Sequence, residues 1–199
     1  MSPDNPFLKA LLAEPDDDTL RLALADWLDE NDQAPRAEFI RVQIELTRGV
    51  EDHECRCALE ARQRDLLIAH DTEWIRPLAD VLECEPGEWG GWVFRRGFVE
   101  YFRLSGNRLP LCGKRLAELT PIRQLNLEND SVWPTVWSQP WLRSLTHLYD
   151  VSIESDAQAE AILASPYLAG LRHLQVARLN NLSPNVRRRF RKRFKAILC

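Results

Sequence analysis

Four short apolar triplets, spaced almost evenly along the second half of the chain, constrain its fold more than any other feature. They are Val99, Phe102 and Leu104; Ile122, Leu125 and Leu127; Leu145 and Leu148 with Asp150 in third place; and Leu171, Leu174 and Val176. Their central members lie 23, 23 and 26 residues apart. In a strand, the second and third members of each triplet point to the same side and bury together. One such strand cannot cover its own apolar face, whereas four stacked in parallel make a continuous core with the intervening segments as an outer wall. Residues 156–164, Asp-Ala-Gln-Ala-Glu-Ala-Ile-Leu-Ala, read as a helical piece of that wall.

A recurrence of this length lies inside the 20–29-residue window of leucine-rich repeats. Two departures mark the array as irregular. Asp150 stands where an apolar residue belongs, and an asparagine ladder is absent except for Asn180 and Asn181 after the last strand. Around 148–153, Val151 or Ile153 is expected to take over the burial.

The first half reads as helices. Phe7, Leu8, Leu11 and Leu12 recur at helical spacing until Glu14-Pro15, where proline disfavours the α conformation of the residue before it. Asp16, Asp17 and Asp18 supply carboxylates for a new helix start. Leu20, Ala23, Leu24, Trp27 and Leu28 then form one apolar stripe that ends near Asn31-Asp32. Pro35 suits the first turn of a third helix carrying Phe39, Ile40, Val42, Ile44 and Leu46, closed by Gly49. A polar helix is predicted from about Glu51 to His70, with Cys55, Leu59 and Leu66 as a sparse stripe. A separate one carries Trp74, Ile75, Leu78, Val81 and Leu82. The turn-rich run from Glu85 to Gly91 reads as a junction. The expected organisation is therefore a helical module over 1–48, a helical connector over 49–91 and a repeat array over 92–199. The expected fold class is α/β, a helical N-terminal module followed by a short leucine-rich-repeat-like solenoid with a small parallel sheet.

Hydrophobic content of 45% with 28% charged residues is that of a folded chain. No apolar run approaches a membrane span, and the N-terminal residues lack a secretory pattern, so a cytoplasmic location is expected. The five cysteines, Cys55, Cys57, Cys84, Cys112 and Cys199, follow no disulfide or zinc spacing. Charge is segregated: residues 1–32 hold nine acidic groups against Lys9 and Arg21, while residues 182–199 hold seven basic groups and no acid.

The run from Leu11 to Glu30, with its Leu24-Ala25-Asp26-Trp27-Leu28-Asp29-Glu30, and the later Arg36-Ala37-Glu38-Phe39-Ile40-Arg41-Val42-Gln43, resemble the repeat-companion domain of planctomycete and myxobacterial proteins. The Arg-rich helix that follows, the Arg95–Glu100 segment and the later triplets are similar to members whose companion domain precedes leucine-rich repeats. The resemblance implies an adaptor or targeting module without enzymatic activity, and it brings no functional residues with it.

Candidate binding residues follow from the strand alternation. If the triplets point inward, Tyr101, Arg103, Gln124, Asn126, His147, Tyr149, His173 and Gln175 face outward as a row of aromatic and hydrogen-bonding groups. Such a row on the concave face of a solenoid suits recognition of a protein partner. His147 and His173 are expected to be neighbours across strands. The alternative reading is nucleic-acid binding by the basic tail, Arg187, Arg188, Arg189, Arg191, Lys192, Arg193 and Lys195, through salt-sensitive phosphate contacts. In that tail Val186, Phe190, Phe194 and Ile197 share one helical stripe, which suits a helix capping the array. Trp133, Trp137 and Trp141, four apart, are expected to cover core between repeats. His53, Cys55 and Cys57 form a local cluster lacking the ligands of structural zinc. No catalytic fingerprint occurs, and no enzymatic activity, cofactor, metal or small-molecule substrate is expected.

Overall fold

In the computed structural model, which describes residues 4–83, 91–128, 132–177 and 179–194, the strands of one mostly parallel sheet follow chain order, β1 to β5. The expected junction from Glu85 to Gly90 lies outside the described residues. The chain divides into two units. The first takes residues 4–83, 93–99 and 118–121; the second takes 91–92, 100–117 and the described residues from 122 onward.

In the first unit, α1 (Pro6–Ala13) starts where the Asn5 side chain accepts from the Phe7 and Leu8 N–H groups at 2.9 and 3.1 Å. It stops at Glu14, ahead of Pro15. Asp17 caps α2 (Asp18–Glu30) by accepting from the Thr19 N–H at 2.7 Å. Hydrogen bonding from Thr19, backbone first and then side chain, holds the Asp17 carboxyl below the usual range. Leu8 and Leu11 pack with Leu24, Ala25 and Leu28, with Ala37, Ile40 and Ile44 of α3 (Ala34–Arg48), and with Phe98. Burial of each large side chain of this kind is worth about 1.5–3 kcal/mol. The buried face of α2 is rotated from the predicted stripe. Arg21 takes an interior place, while Leu20, Ala23 and Trp27 are half-buried.

A single helix, α4 (His53–Leu82), replaces the two predicted over this stretch. Asp71-Thr72-Glu73 does not interrupt it, because His70 and Trp74 stack at 5.2 Å across that point and Ile75, Leu78 and Leu82 bury beyond it. Pro77 sits inside the helix, and the carbonyl it leaves without its intrahelical donor belongs to Glu73, an exposed residue.

A two-residue turn, Arg96 at φ 48° and Gly97 at φ 89°, joins β1 (Trp92–Arg95) to β2 (Phe98–Arg103). Positive φ at both positions matches the twist of a tight hairpin. α2 and α3 grip this turn. Arg21 donates to the carbonyls of Pro15 and Arg96 at 2.7 and 2.9 Å, and Arg36 donates to that of Gly97 at 2.5 Å. The Gly97 N–H donates to the Gln43 amide oxygen at 2.6 Å. A Cβ at Gly97 would fall on the side chain and backbone of Ile40, so only glycine fits.

In the second unit, β2, β3 (Gln124–Asn126), β4 (His147–Ser152) and β5 (His173–Ala177) pair in parallel. Phe102, Leu125, Leu148 and Leu174 are direct partners along this row, each at most 1% exposed. The same interval governs the residues before the strands. The Arg123 N–H donates to Glu100, that of Thr146 to Arg123, and that of Arg172 to Thr146. Asp150 is an extra residue at φ 54°, and the register jumps there from Leu148 opposite Leu174 to Val151 opposite Val176. The bulge lets both Val151 and Ile153 bury.

The segments between strands are α5 (Leu109–Ala117), two 3-10 turns (Pro134–Ser138 and Pro140–Ser144) and α6 (Asp156–Ala164), the last coinciding with the predicted wall helix. α7 (Pro184–Phe194) follows and packs on α6. Trp141 lies against Gly113, where any side chain would collide with its ring.

Candidate functional site

The strand alternation that buries Leu125 turns Gln124 and Asn126 to the opposite face, and the parallel register lines up their equivalents. Tyr101, Gln124, His147 and His173 are successive partners across β2 to β5; Arg103, Asn126 and Tyr149 form a second row. Arg103 is exposed and the other predicted face residues, Gln175 included, are half-buried. All eight therefore lie on β2–β5, away from the side that buries Phe102, Leu125, Leu148 and Leu174.

At the β4–β5 end of this face the rings form a cluster. His147 stacks on Tyr149 at 6.0 Å and on His173 at 5.8 Å, and Tyr149 meets His173 at 5.0 Å. His147 Nδ1 lies 2.9 Å from the Thr146 hydroxyl, which fixes the ring plane. At the other end, Arg103 pairs with Glu128 at 3.0 Å, and the Asn126 amide donates to the Asp150 carboxylate at 2.7 Å. The face thus offers flat apolar ring surface with polar edges beside a fixed acid–amide pair. Glu128 and Asp150 escaped the sequence reading. Asp150 was visible only as a break in the triplet, and its role at the rim depends on the bulge.

The basic helix is engaged within its own unit. Val186 and Phe190 are buried, and Phe194 is half-buried. Arg189 pairs with Glu160 of α6, Arg193 donates to the Ser165 carbonyl at 2.6 Å, and Arg187 donates to that of Leu182 at 2.9 Å. Arg188 lies 3.4 Å from the Asn185 amide oxygen. Arg188, Arg191 and Lys192 are exposed. Lys195 and Ile197 lie outside the described residues.

Of the three tryptophans, Trp137 is buried and Trp141 half-buried, but Trp133 is exposed and covers no core. The 3-10 geometry of 134–138 turns it away from the line that an α-helix would give. His53 Nε2 and the Cys57 thiol are 3.7 Å apart on the exposed first turns of α4. No group of three metal-ligating side chains occurs among the described residues.

Sequence reasoning missed a second constellation, in the first unit. The Arg36 guanidinium lies over four aromatic rings: Trp74 at 4.7 Å, Phe94 at 5.3 Å, Phe98 at 5.5 Å and Phe39 at 5.7 Å. Burial pushes its pKa down to about 9, against the pull of the Glu73 and Asp71 carboxylates, so it remains charged at neutral pH. Its Nη2 is bonded to Gly97, whereas Nη1 is buried with no hydrogen-bond partner among the described residues. A cavity of about 100 Å³ adjoins it.

Comparison with protein-family models, with curated proteins and with solved structures finds no match to this chain. Among the described residues no helix is long and apolar enough to cross a membrane.

Proposed function

We propose that the chain is a non-catalytic bacterial interaction protein that captures a protein partner on the outward face of β2–β5. In this reading the second unit is a short leucine-rich-repeat-type array, the face is its concave side, and the helical segment at the start is a companion module that docks or targets it in the cytoplasm. The observation that carries the reading is the ring cluster of His147, Tyr149 and His173 on a sheet face whose other side is fully committed to the core. Rigid aromatic side chains with hydrogen-bonding edges are the groups on which binding energy concentrates. The parallel row of Phe102, Leu125, Leu148 and Leu174 across β2–β5 supports the array, and the resemblance of residues 8–43 to the repeat-companion family supports the adaptor role.

The test is a pull-down from native lysate with mass spectrometry, followed by affinity measurement on the partner recovered. Alanine at Tyr101, His147, Tyr149 and His173 together is expected to weaken capture by at least about tenfold, since loss of even one hot-spot side chain costs about 2 kcal/mol. Circular dichroism should stay unchanged. Capture at full affinity by a folded quadruple variant sinks the assignment.

A second reading rests on the exposed cations of α7. It holds that Arg188, Arg191 and Lys192 contact phosphates of a nucleic acid, by attraction that falls steeply with salt. Glutamine at Arg187, Arg188, Arg189, Arg191 and Arg193 then abolishes low-salt retention on RNA or DNA. Unchanged retention leaves α7 as a packing element only.

A further inference from the structure

Along a regular strand successive side chains point to opposite faces of the sheet. The bulge in β4 breaks that rule. Tyr149 and Asp150 are consecutive, yet both lie half-buried on the outward face, because Asp150 at φ 54° is the extra residue where the register jumps. One hydrogen bond holds the Asp150 carboxylate there, from the Asn126 amide at 2.7 Å, and Asn126 is the register partner of Tyr149. The Asn126 amide is itself fixed, since its oxygen accepts from the Glu128 N–H at 2.9 Å. The bulge therefore sets one carboxylate beside the stacked rings of His147, Tyr149 and His173. Glu128, the other acid at this rim, is already paired with Arg103, whereas no cation accompanies Asp150 among the described residues.

Flat ring surface with a fixed carboxylate at its edge favours a cation that is itself flat. A guanidinium stacks on aromatic faces, is weakly hydrated, and presents N–H donors in its own plane to a carboxylate. An ammonium is compact and strongly hydrated, and an anion meets the repulsion of Asp150. We propose that the Tyr149–Asp150 bulge is an arginine-recognition subsite: an arginine of the partner lays its guanidinium on the rings of His147, Tyr149 and His173 and donates to the Asp150 carboxylate. The inference rests on β2–β5 being the capture face, and it names the chemistry that face reads.

The experiment titrates the full chain with Nα-acetylargininamide at constant pH and ionic strength. The reporters are the ring C–H resonances of His147 and His173, assigned by their absence in His147→Gln and His173→Gln. His53 and His70, both on α4, serve as references. A single side chain on an open face is expected to bind with a dissociation constant on the order of 10 mM. The citrulline analogue, neutral and of nearly the same shape, and the lysine analogue should each bind at least about threefold more weakly. Asp150→Asn keeps a residue that tolerates positive φ and an acceptor for Asn126, and should weaken the arginine probe by at least about threefold. Glu160→Gln removes an equal charge from α6 and should leave the affinity within about twofold. The affinity of the captured partner should fall in Asp150→Asn by a factor similar to that of the probe. Capture lost in the quadruple alanine variant but undiminished in Asp150→Asn keeps the capture face and overturns the subsite. Equal shifts from the arginine and citrulline probes, tighter binding of the acetylglutamate amide, or no movement of either histidine overturns it without reference to a partner.

Discussion

Leu125→Asp is expected to abolish cooperative folding of the second unit. Leu125 is fully buried between Phe102 and Leu148 on the central strand of the parallel row. The substitution removes its apolar contacts and puts a carboxylate where no donor waits. Loss of the apolar side chain alone costs about 2–5 kcal/mol, and a buried unpaired acid adds to that. The total exceeds about 5 kcal/mol, comparable with the whole stability of many domains. One position earlier, Gln124→Asp places the same acid on the half-buried face and should cost under about 1 kcal/mol. Chemical denaturation of both variants measures the contrast. Similar losses at the two positions would mean that the alternation does not separate core from face.

Gly97→Val should be nearly as damaging in the first unit. At φ 89° a β-branched residue is strained, at a cost of about 1–2 kcal/mol. Its side chain also falls on Ile40 within the helical core, and overpacking adds about 1–3 kcal/mol. Gly49→Ala is the control: φ there is 88°, but nothing lies within 4 Å of the added carbon. It should show the backbone strain alone. Equal effects in thermal melts would remove the packing contribution.

The in-register row was legible because strand alternation and a near-constant offset are both written in the residues themselves. The triplets named Phe102, Leu125, Leu148 and Leu174, and parallel pairing at those offsets then brings His147 and His173 together. The wall helix was equally plain, since 156–164 carries small and apolar residues at helical spacing after Ser155, whose hydroxyl accepts from the Gln158 N–H. The continuity of α4 was not legible. A polar stretch that loses its apolar stripe near His70 reads as an end, and only tertiary burial of Ile75, Leu78 and Leu82 beyond that point carries the helix through. The interior role of Arg21 was hidden for a related reason: its partners are backbone carbonyls, of Pro15 and of Arg96 in a distant turn, which no residue pattern records. Nor could the Arg36 cage be read ahead, because its rings come from α3, α4, β1 and β2 and meet only in the fold. Rotation of Trp133 to the exterior shows the opposite error. A spacing of four means a shared face in an α-helix and means nothing in a 3-10 turn.

The grip of α2 and α3 on the Arg96-Gly97 turn also sets an order of events as the chain leaves the ribosome. Arg21, Arg36 and Gln43 emerge 75, 61 and 54 residues ahead of the turn atoms they bind. Until then the Arg21 and Arg36 donors and the Gln43 acceptor lack their partners in the turn, and Phe98, the last member of the apolar cluster, has not been made. The N-terminal segment therefore reaches its final state only after translation has passed the hairpin.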